Sequence, residues 1–205
     1  MLKEVISKKT RSNLELLKKA DVLNDFYLAG GTGLALQLKH RLSIDLDFFI
    51  EKNINTKDLI NKIKECGELV INREEENTLN GIFNGTKIMF LKYPYPLLFP
   101  LQKVENITTA DTRDIGCMKI SAVSSRGTKK DFIDLFFIYK NVLDFEELLK
   151  LFKKKYKGID YNIMHILKSL TYFNDAEKEP MPKMLKPVNW EDVKLFFQNI
   201  AKLDF

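Results

Sequence analysis

The sequence is poor in the residues and runs that define several classes of protein. Its 205 residues include two cysteines and two histidines, and no apolar run approaches the ~20 residues of a membrane span. Cys66 and Cys117 lack CxxC spacing, so we expect neither a zinc site nor a structural disulfide. His40 and His165 are isolated and give no indication of catalytic histidine chemistry. The charged opening MLKEVISKKTRSNLELL excludes a signal peptide, so we expect a cytoplasmic protein without membrane segments.

A strong charge imbalance, low-complexity tracts and internal repeats are also missing. The net charge is +5 and the pI is about 9.0, which favours an anionic partner only weakly. Apolar residues, by contrast, are abundant: 45% of the chain is hydrophobic, with 15 Phe and 7 Tyr. This composition excludes a disordered chain and supplies the core of one domain or of two small packed ones.

The first fifty residues change between helical and strand-like patterns. The first twenty show apolar positions at helical spacing, and FYLAG at 26–30 is typical of a short buried strand. Gly30 and Gly31 are predicted to end that strand, with Thr32 as the N-cap of a helix through TGLALQLK. SIDLDFFI at 43–50 predicts a second strand, with its serine and both aspartates on one face.

The middle of the chain predicts one helix followed by antiparallel strands. Thr56 is positioned to cap a helix that ends at about Cys66, where Gly67 stops it. The segments ELVINRE, TLNGIFN and TKIMFLKY are separated by polar or Asn-Gly turns and are typical of meander strands. The segment YPYPLLFP then breaks regular structure, because its prolines lack N–H groups.

From about residue 110 onward the pattern is helical. Apolar spacing predicts helices at 111–125, 129–141, 144–156, 160–173 and about 190–202. EKEPMPKMLKP at 177–187, with three prolines, is predicted to be a surface connection into the last helix. The sequence therefore divides into a part with strands, 1–110, and a helical part, 111–205.

Asp45 and Asp47 are the main candidates for chemistry. Carboxylates two positions apart on a strand point to the same side, where they can hold one or two Mg²⁺ or Mn²⁺ ions. Leu46, Phe48 and Phe49 make this strand strongly apolar, and paired aspartates without a cation would be costly there. Two metal ions can activate an attacking hydroxyl and stabilise a leaving pyrophosphate. The alternative is a solvated strand face.

Residues before the aspartates suit an anionic ligand. Gly30, Gly31 and Thr32 lie between a strand and a helix, where backbone N–H groups can approach a phosphate. Arg41 and Ser43 come next, and Arg41 can bind a triphosphate or offset negative charge when metal is absent. A purely structural turn and an arginine in water are the alternatives.

These residues lie in a string that resembles a known family. LAGGTGLALQLKHRLSIDLDFF is similar to the signature of the AbiEii-type nucleotidyltransferases, which include the MenT-like toxins. MKISAVSSRGTKKDFIDLFFIY resembles that family's downstream block, in which a helix bearing Lys and Arg precedes a basic-Asp-x-x-Asp-Leu helix. The resemblance implies an α+β fold of the nucleotidyltransferase kind. Its small mixed sheet with flanking helices, residues 1–110, would be followed by a helical C-terminal domain, 111–205.

The downstream block adds candidates from the second half of the chain. Lys119 and Arg126 are seven apart and share a helical face, and Asp131 and Asp134 are three apart on the next helix. The resemblance implies that Lys119 and Arg126 neutralise triphosphate charge and that Asp131 acts as a base or orients one. A structural salt bridge between adjacent helices is the alternative for Lys119 and Asp131, and Asp134 suits a helix-packing role equally well.

One feature of many polymerase-beta-like transferases is missing. They carry a third carboxylate on a later strand, but TKIMFLKYPY contains none. Either Asp131 supplies the third acidic group or the site uses two. Lys130, next to Asp131, is a further candidate for the site.

The resemblance also implies a biological role. A member of this family would transfer an NMP from an NTP to an acceptor hydroxyl, as the toxin of a type IV toxin–antitoxin or abortive-infection system. The implied acceptor is RNA, such as the tRNA 3′ end, and the antitoxin would be a separately encoded transcriptional regulator. Two alternatives stay open: transfer to a small molecule, which the basic pI disfavours, and a non-catalytic nucleotide- or RNA-binding module.

KLFKKKYKG at 150–158 is the densest basic run in the chain. It predicts a helix end that carries four lysines with two aromatic residues between them: Lys153, Lys154, Lys155, Lys157, Phe152 and Tyr156. Such a cluster can bind an RNA backbone. The other interpretation is a solvated face of an amphipathic helix.

Overall fold

The computed structural model describes residues 5–202. Residues 1–4 of the predicted part with strands and residues 203–205 of the predicted helical part lie outside the described residues. The helices are α1 (Lys8–Lys19), α2 (Gly30–Leu38), α3 (Thr56–Cys66), α4 (Thr112–Ser125), α5 (Lys129–Asn141), α6 (Phe145–Lys155), α7 (Ile163–Ser169), α8 (Asn174–Glu177) and α9 (Trp190–Ile200). The strands are β1 (Tyr27–Leu28), β2 (Leu46–Ile50), β3 (Leu69–Glu75), β4 (Thr78–Phe83), β5 (Thr86–Lys92), β6 (Gln102–Val104) and β7 (Ile107–Thr109). None of the helices between residues 5 and 202 has the length and apolarity of a membrane span.

The strands form one mixed sheet in the order β3-β4-β5-β2-β1-β7-β6. β2 runs parallel to β5, and β1 runs parallel to β7, while the other neighbours are antiparallel. The predicted fold class, a mixed sheet with flanking helices followed by helices, is confirmed. β6 and β7 were not predicted, because three residues are too few to show an alternating pattern. β2 lies at the centre of the sheet, which fixes the position of the aspartate pair.

The sheet lies between two hydrophobic layers. Phe48 of β2 packs in a cluster with Leu17 of α1 and Ile63 of α3. Phe49, the next residue, packs on the opposite side in a cluster with Phe132 and other residues of the C-terminal helices. This alternation is the two-residue period of a strand whose faces are both buried. Burial on both faces holds β2 firmly in place.

Several element boundaries differ from the sequence predictions. β2 begins at Leu46 rather than at residue 43, so Asp45 precedes the strand. The N-cap of α3 is Asn55, whose side chain accepts from the N–H of Asp58, and Thr56 is the first helical residue. α7 covers only part of the predicted helix at 160–173. Asparagine and threonine are both good N-caps, so adjacent candidates are hard to separate by sequence.

The change from strands to helices falls near residue 110, between β7 and α4. Residues of both halves contribute to one hydrophobic cluster, which includes Tyr27 and Leu34 from the first half and Ile120 and Phe132 from the second. We propose to keep 1–110 and 111–205 as two domains that share this core. Their shared packing positions side chains from both halves around one cleft.

Candidate active site

The aspartate pair lies at the N-terminal end of β2. Asp47 is in the strand, in register with Met89 of β5, and its backbone oxygen accepts from the N–H of Ala29 at 3.0 Å. Asp45 comes just before the strand, and both residues are half-buried. Burial and then the nearby Asp45 raise the pKa of Asp47, against the opposing effect of Lys119 and Arg126. Nearby positive charge therefore offsets the negative charge of the Asp47 carboxylate only in part.

The two glycines make room for charged side chains. Gly30 has a φ of +58°, and a Cβ there would lie 2.5 Å from Oδ2 of Asp47. A Cβ on Gly31 would lie 2.4 Å from Nη2 of Arg41. Both distances are shorter than real Cβ atoms tolerate, and the positive φ of Gly30 favours glycine independently. The glycine pair thus lets a carboxylate and a guanidinium pack directly against the start of α2.

Thr32 is not the N-cap of α2, so that prediction is wrong. The helix begins two residues earlier, at Gly30, with Ala29 as its N-cap. The buried hydroxyl of Thr32 contacts the backbone oxygen of Asp45 and, at 2.8 Å, the hydroxyl of Ser43. Thr32 and Ser43 therefore fix the segment that carries Asp45 to α2.

Asp134 is the centre of a buried ion-pair network. Its carboxylate is 2.7 Å from Nε of Arg41, 2.7 Å from Nε2 of His40 and 2.6 Å from Nζ of Lys119. Arg41 binds it through two nitrogens, so Arg41 is not an arginine in water. Burial alone would raise the pKa of Asp134, but Lys119 and Arg41 hold it well below its usual range. Asp134 joins α5 to α4 and to the segment before β2.

Asp131 is enclosed by donors from neighbouring residues. It accepts from Lys119 Nζ at 2.8 Å, Arg126 Nε at 2.8 Å and the hydroxyl of Thr128 at 2.7 Å. Burial opposes ionisation, yet Lys119 and then Arg126 lower the pKa of Asp131. A carboxylate held so firmly as an anion is a weak base. Asp131 was expected to act as a base or to orient one; its contacts instead suit a third role, the positioning of the cations Lys119 and Arg126.

Acid titration tests the assignment of Asp131 to this network. Because its folded-state pKa lies below the unfolded value of about 4, its stabilising effect is complete above that value and is lost as the pH falls further. We expect the free energy of unfolding to fall between about pH 4 and pH 2, and Asp131→Asn to reduce that slope by up to about 1.4 kcal/mol per pH unit. Urea denaturation at each pH measures both slopes. An equal slope in the variant would contradict the assignment.

These residues surround a cleft of about 660 Å³. Most of the predicted site residues line it: Gly31, Arg41, Ser43, Asp45, Asp47, Lys119, Arg126 and Asp131. Lys130 lines it too, whereas Gly30 and Thr32 are not among the lining residues. Side chains that are distant in sequence therefore meet in one place. Between residues 5 and 202, no three His, Cys, Asp or Glu side chains form a metal-binding group. Asp131, the candidate for a third carboxylate, already accepts from Lys119, Arg126 and Thr128.

One wall of the cleft was missed by sequence reasoning. Glu179, Pro180, Pro182 and Lys183, from the connection at 177–187, also line it. The N–H of Leu42 donates to the backbone oxygen of Lys183 at 2.8 Å, which holds the connection beside the segment before β2. The three prolines were the only local signal, and they mark an irregular segment without indicating what it contacts.

The basic run at 150–158 is not a continuous cationic surface. Lys155 is 1% exposed, and its ammonium group binds Asp114 and the backbone oxygen of Pro96, each at 2.7 Å. Phe152 and Tyr156 are buried in the core as well. Lys155 and both aromatic residues are therefore structural, so the expected surface cluster of four lysines with aromatic residues between them does not form. Lys153 and Lys154 are exposed.

Comparisons with known proteins indicate a family and support the fold. A profile of the family described as "Nucleotidyl transferase AbiEii toxin, Type IV TA system" matches residues 14–94. The uncharacterized protein aq_aa25 of Aquifex aeolicus strain VF5 is 40% identical over 202 residues, 96% of each chain. A putative nucleotidyltransferase from Helicobacter pylori has a TM-score of 0.56 at 18% identity, covering 96% of this chain and 94% of that one. The nucleotidyltransferase toxin MenT4 from Mycobacterium tuberculosis H37Rv has a TM-score of 0.51 at 14% identity, covering 96% and 86%. At these identities the two structures support the fold alone.

Proposed function

Because this chain belongs to the AbiEii nucleotidyltransferase toxin family of type IV toxin–antitoxin systems, we propose that it moves an NMP from an NTP to an acceptor hydroxyl. One observation carries the proposal. Two buried carboxylates, Asp131 in the cleft lining and Asp134 in the same ion-pair network, are neutralised by Lys119 and other cations. Asp45 and Asp47 form no ion pair with any residue between 5 and 202. A bound cation would supply the positive charge that this pair of aspartates lacks.

The donor set fits a divalent ion such as Mg²⁺ or Mn²⁺. Both candidate ligands are carboxylates, the oxygen donors that hard cations prefer. The Asp47 carboxylate occupies the space that a side chain at residue 30 would fill, so the fold reserves this position for it. A divalent ion with two protein carboxylates commonly completes its coordination with substrate phosphates and water. A site with two aspartates therefore suits a triphosphate substrate.

The protein's own groups position that triphosphate. Gly31 lies in the first turn of α2 and lines the cleft, and N–H groups at a helix N-terminus favour a phosphate. Arg126 is 63% exposed in its side chain and binds Asp131 through Nε and Nη2, which leaves Nη1 for a phosphate oxygen. Lys119 uses two N–H donors on carboxylates and holds a third for the cleft. Arg41, fixed by Asp134, offsets the charge of the aspartates.

The transfer step follows from this arrangement. The acceptor hydroxyl loses its proton to solvent water, and its oxygen forms a bond to the α-phosphorus as the in-line bond to the departing pyrophosphate breaks. A bound divalent ion would lower the pKa of the acceptor hydroxyl and neutralise charge on the phosphates. Arg126 and Lys119 stabilise the negative charge that develops on the leaving group. Asp131 keeps both cations in place during the step.

For the acceptor we propose RNA, such as the tRNA 3′ end, in the cytoplasm. Lys130 and Lys183 line the same cleft, are exposed, and form no ion pair with any residue from 5 to 202. They give the cleft a positive edge next to its acidic floor, which suits an anionic chain whose terminal hydroxyl enters the site. The type IV family implies a separate antitoxin, which we propose is a transcriptional regulator.

A direct assay tests the proposed transfer. The protein is incubated with each labelled NTP and total cellular RNA, with Mg²⁺, with Mn²⁺ and with chelator. We expect label in RNA from at least one NTP, and only when a divalent ion is present. Label in a small-molecule fraction instead would favour the small-molecule alternative. Binding of NTP without any transfer would favour a non-catalytic module.

The double variant Lys130→Ala with Lys183→Ala tests whether the positive edge of the cleft binds RNA. Each phosphate contact that is removed lowers the slope of log affinity against log salt by about one. We expect the double variant to raise KM for RNA about tenfold at low salt and to flatten its salt dependence, while KM for the NTP stays constant.

The matched control for that pair is Lys153→Ala with Lys154→Ala. These lysines are exposed but belong to α6, away from the cleft lining. We expect KM for RNA in this double variant to equal that of the parent at every salt concentration. If the control weakens RNA binding and the cleft variant does not, the RNA lies along α6 instead.

A further inference from the structure

An exposed isoleucine stands next to the carboxylate pair. Ile44 is 59% exposed, lies between Ser43 and Asp45, and lines the same cleft as Asp45 and Asp47. Single exposed apolar side chains are ordinary on a protein surface. This one is adjacent to the proposed triphosphate site, and an aliphatic side chain makes no favourable contact with a phosphate. It suits an uncharged part of the same ligand.

A second apolar surface of the cleft comes from Pro180 and Pro182. Their segment is fixed on both sides. The carboxylate of Glu179 accepts from the N–H of Lys129 at 2.9 Å, and the N–H of Leu185 donates to the backbone oxygen of His40 at 2.8 Å. A proline has a fixed φ and no N–H, so its ring offers a rigid apolar contact without an unpaired donor. The cleft therefore combines an acidic floor with a preformed apolar wall.

We infer that Ile44, Pro180 and Pro182 form the contact surface for a nucleobase. The inference rests on the proposed nucleotidyl transfer. A base is joined to its phosphates through one sugar, so phosphates at the aspartate pair place a base within reach of the neighbouring apolar side chains. The faces of all bases are flat and weakly polar, so contact through a face tolerates any base. The base belongs either to the NTP or to the terminal nucleotide of the acceptor.

Ile44→Ser is the test, and Ile159→Ser is its matched control. Ile159 is 47% exposed and is not among the residues that line the cleft. Binding of three ligands is measured by calorimetry with Mg²⁺: an NTP, inorganic triphosphate and a short RNA. A half-buried aliphatic contact corresponds to about five- to tenfold in affinity. We expect Ile44→Ser to weaken NTP binding by that factor and to leave inorganic triphosphate unchanged, while Ile159→Ser changes neither.

The ligand series separates the possible outcomes. If RNA binding weakens about five- to tenfold and NTP binding does not, the base belongs to the acceptor, and the inference still holds. Ile44→Met, which restores apolar area, should recover the affinity that Ile44→Ser loses. Equal losses for NTP and inorganic triphosphate, or no loss for any ligand, would overturn the inference. A parent protein that binds neither NTP nor inorganic triphosphate would instead reject the proposed function itself.

Discussion

Asp47→Asn is expected to abolish nucleotidyl transfer while raising the melting temperature of the metal-free protein. The folded state raises the pKa of Asp47 through burial and through Asp45. A raised carboxyl pKa means that the charged form is less stable in the folded chain than in the unfolded one, so at neutral pH its charge is unfavourable. Asparagine keeps the shape and removes the charge. The rate should fall at least about a hundredfold, the effect of losing one positioned electrostatic contact.

Thermal melting with and without Mg²⁺, alongside the transfer assay, measures both effects. A cation that binds only the folded state raises the melting temperature of the parent, and we expect no such rise in Asp47→Asn or Asp45→Asn. Asp25→Asn is the control, since Asp25 is an exposed carboxylate that pairs with Lys52; it should melt and turn over like the parent. Near-parental turnover of Asp47→Asn with Mg²⁺ present would show that the pair is not the metal site.

Asp134→Asn should destabilise the fold more than any surface substitution. Asp134 is fully buried and neutralises Arg41 and Lys119, which are themselves almost fully buried. Removing one partner of a buried network leaves the other charges uncompensated, which costs about 3–5 kcal/mol. Urea denaturation measures the loss as a lower midpoint at constant m-value. Transfer activity should fall as well, because Lys119 and Arg41 lose the group that positions them.

Two further variants separate the ion-pair network from a general effect of losing a carboxylate. Glu75→Gln breaks an exposed pair with Arg73, and we expect no measurable change in its unfolding midpoint. Asp134→Leu combined with Arg41→Met and Lys119→Met removes all three charges and should recover much of the stability without activity. If Asp134→Asn melts like Glu75→Gln, the network is not what holds these elements together.

The sequence was informative where one pattern controlled one element. The apolar pattern at 43–50 predicted β2, which the structure has from Leu46 to Ile50. Asp45 and Asp47, two positions apart, both line the cleft. The helices α4 and α5 were predicted almost to the residue, since each has a side-chain N-cap, Asp111 and Thr128. Strong local signals of this kind depend little on the rest of the fold.

Prediction from the sequence failed where a distant residue decides the role of a side chain. Lys155 looks like its exposed neighbours in the run of lysines, yet Asp114, on another helix, buries its charge. Thr32 has the chemistry of an N-cap, but the helix begins earlier, at Gly30, and the Thr32 hydroxyl contacts the distant Ser43 and Asp45 instead. The cleft wall at 179–183 depends on backbone bonds to residues 40–42. No local pattern encodes such long-range partners.

The backbone bonds between the segment before β2 and the connection to α9 have a consequence for synthesis. Leu42 and Lys183, which share one of these bonds, are far apart in the sequence. A ribosome releases Asp45 and Asp47 before Lys183, so until residue 183 emerges the nascent chain has its carboxylates but lacks one wall of the cleft. Contacts with such large sequence separation also close late in folding, because they carry the loop-closure entropy of all intervening residues. The pocket is therefore complete only after the segment at 179–183 has been synthesised.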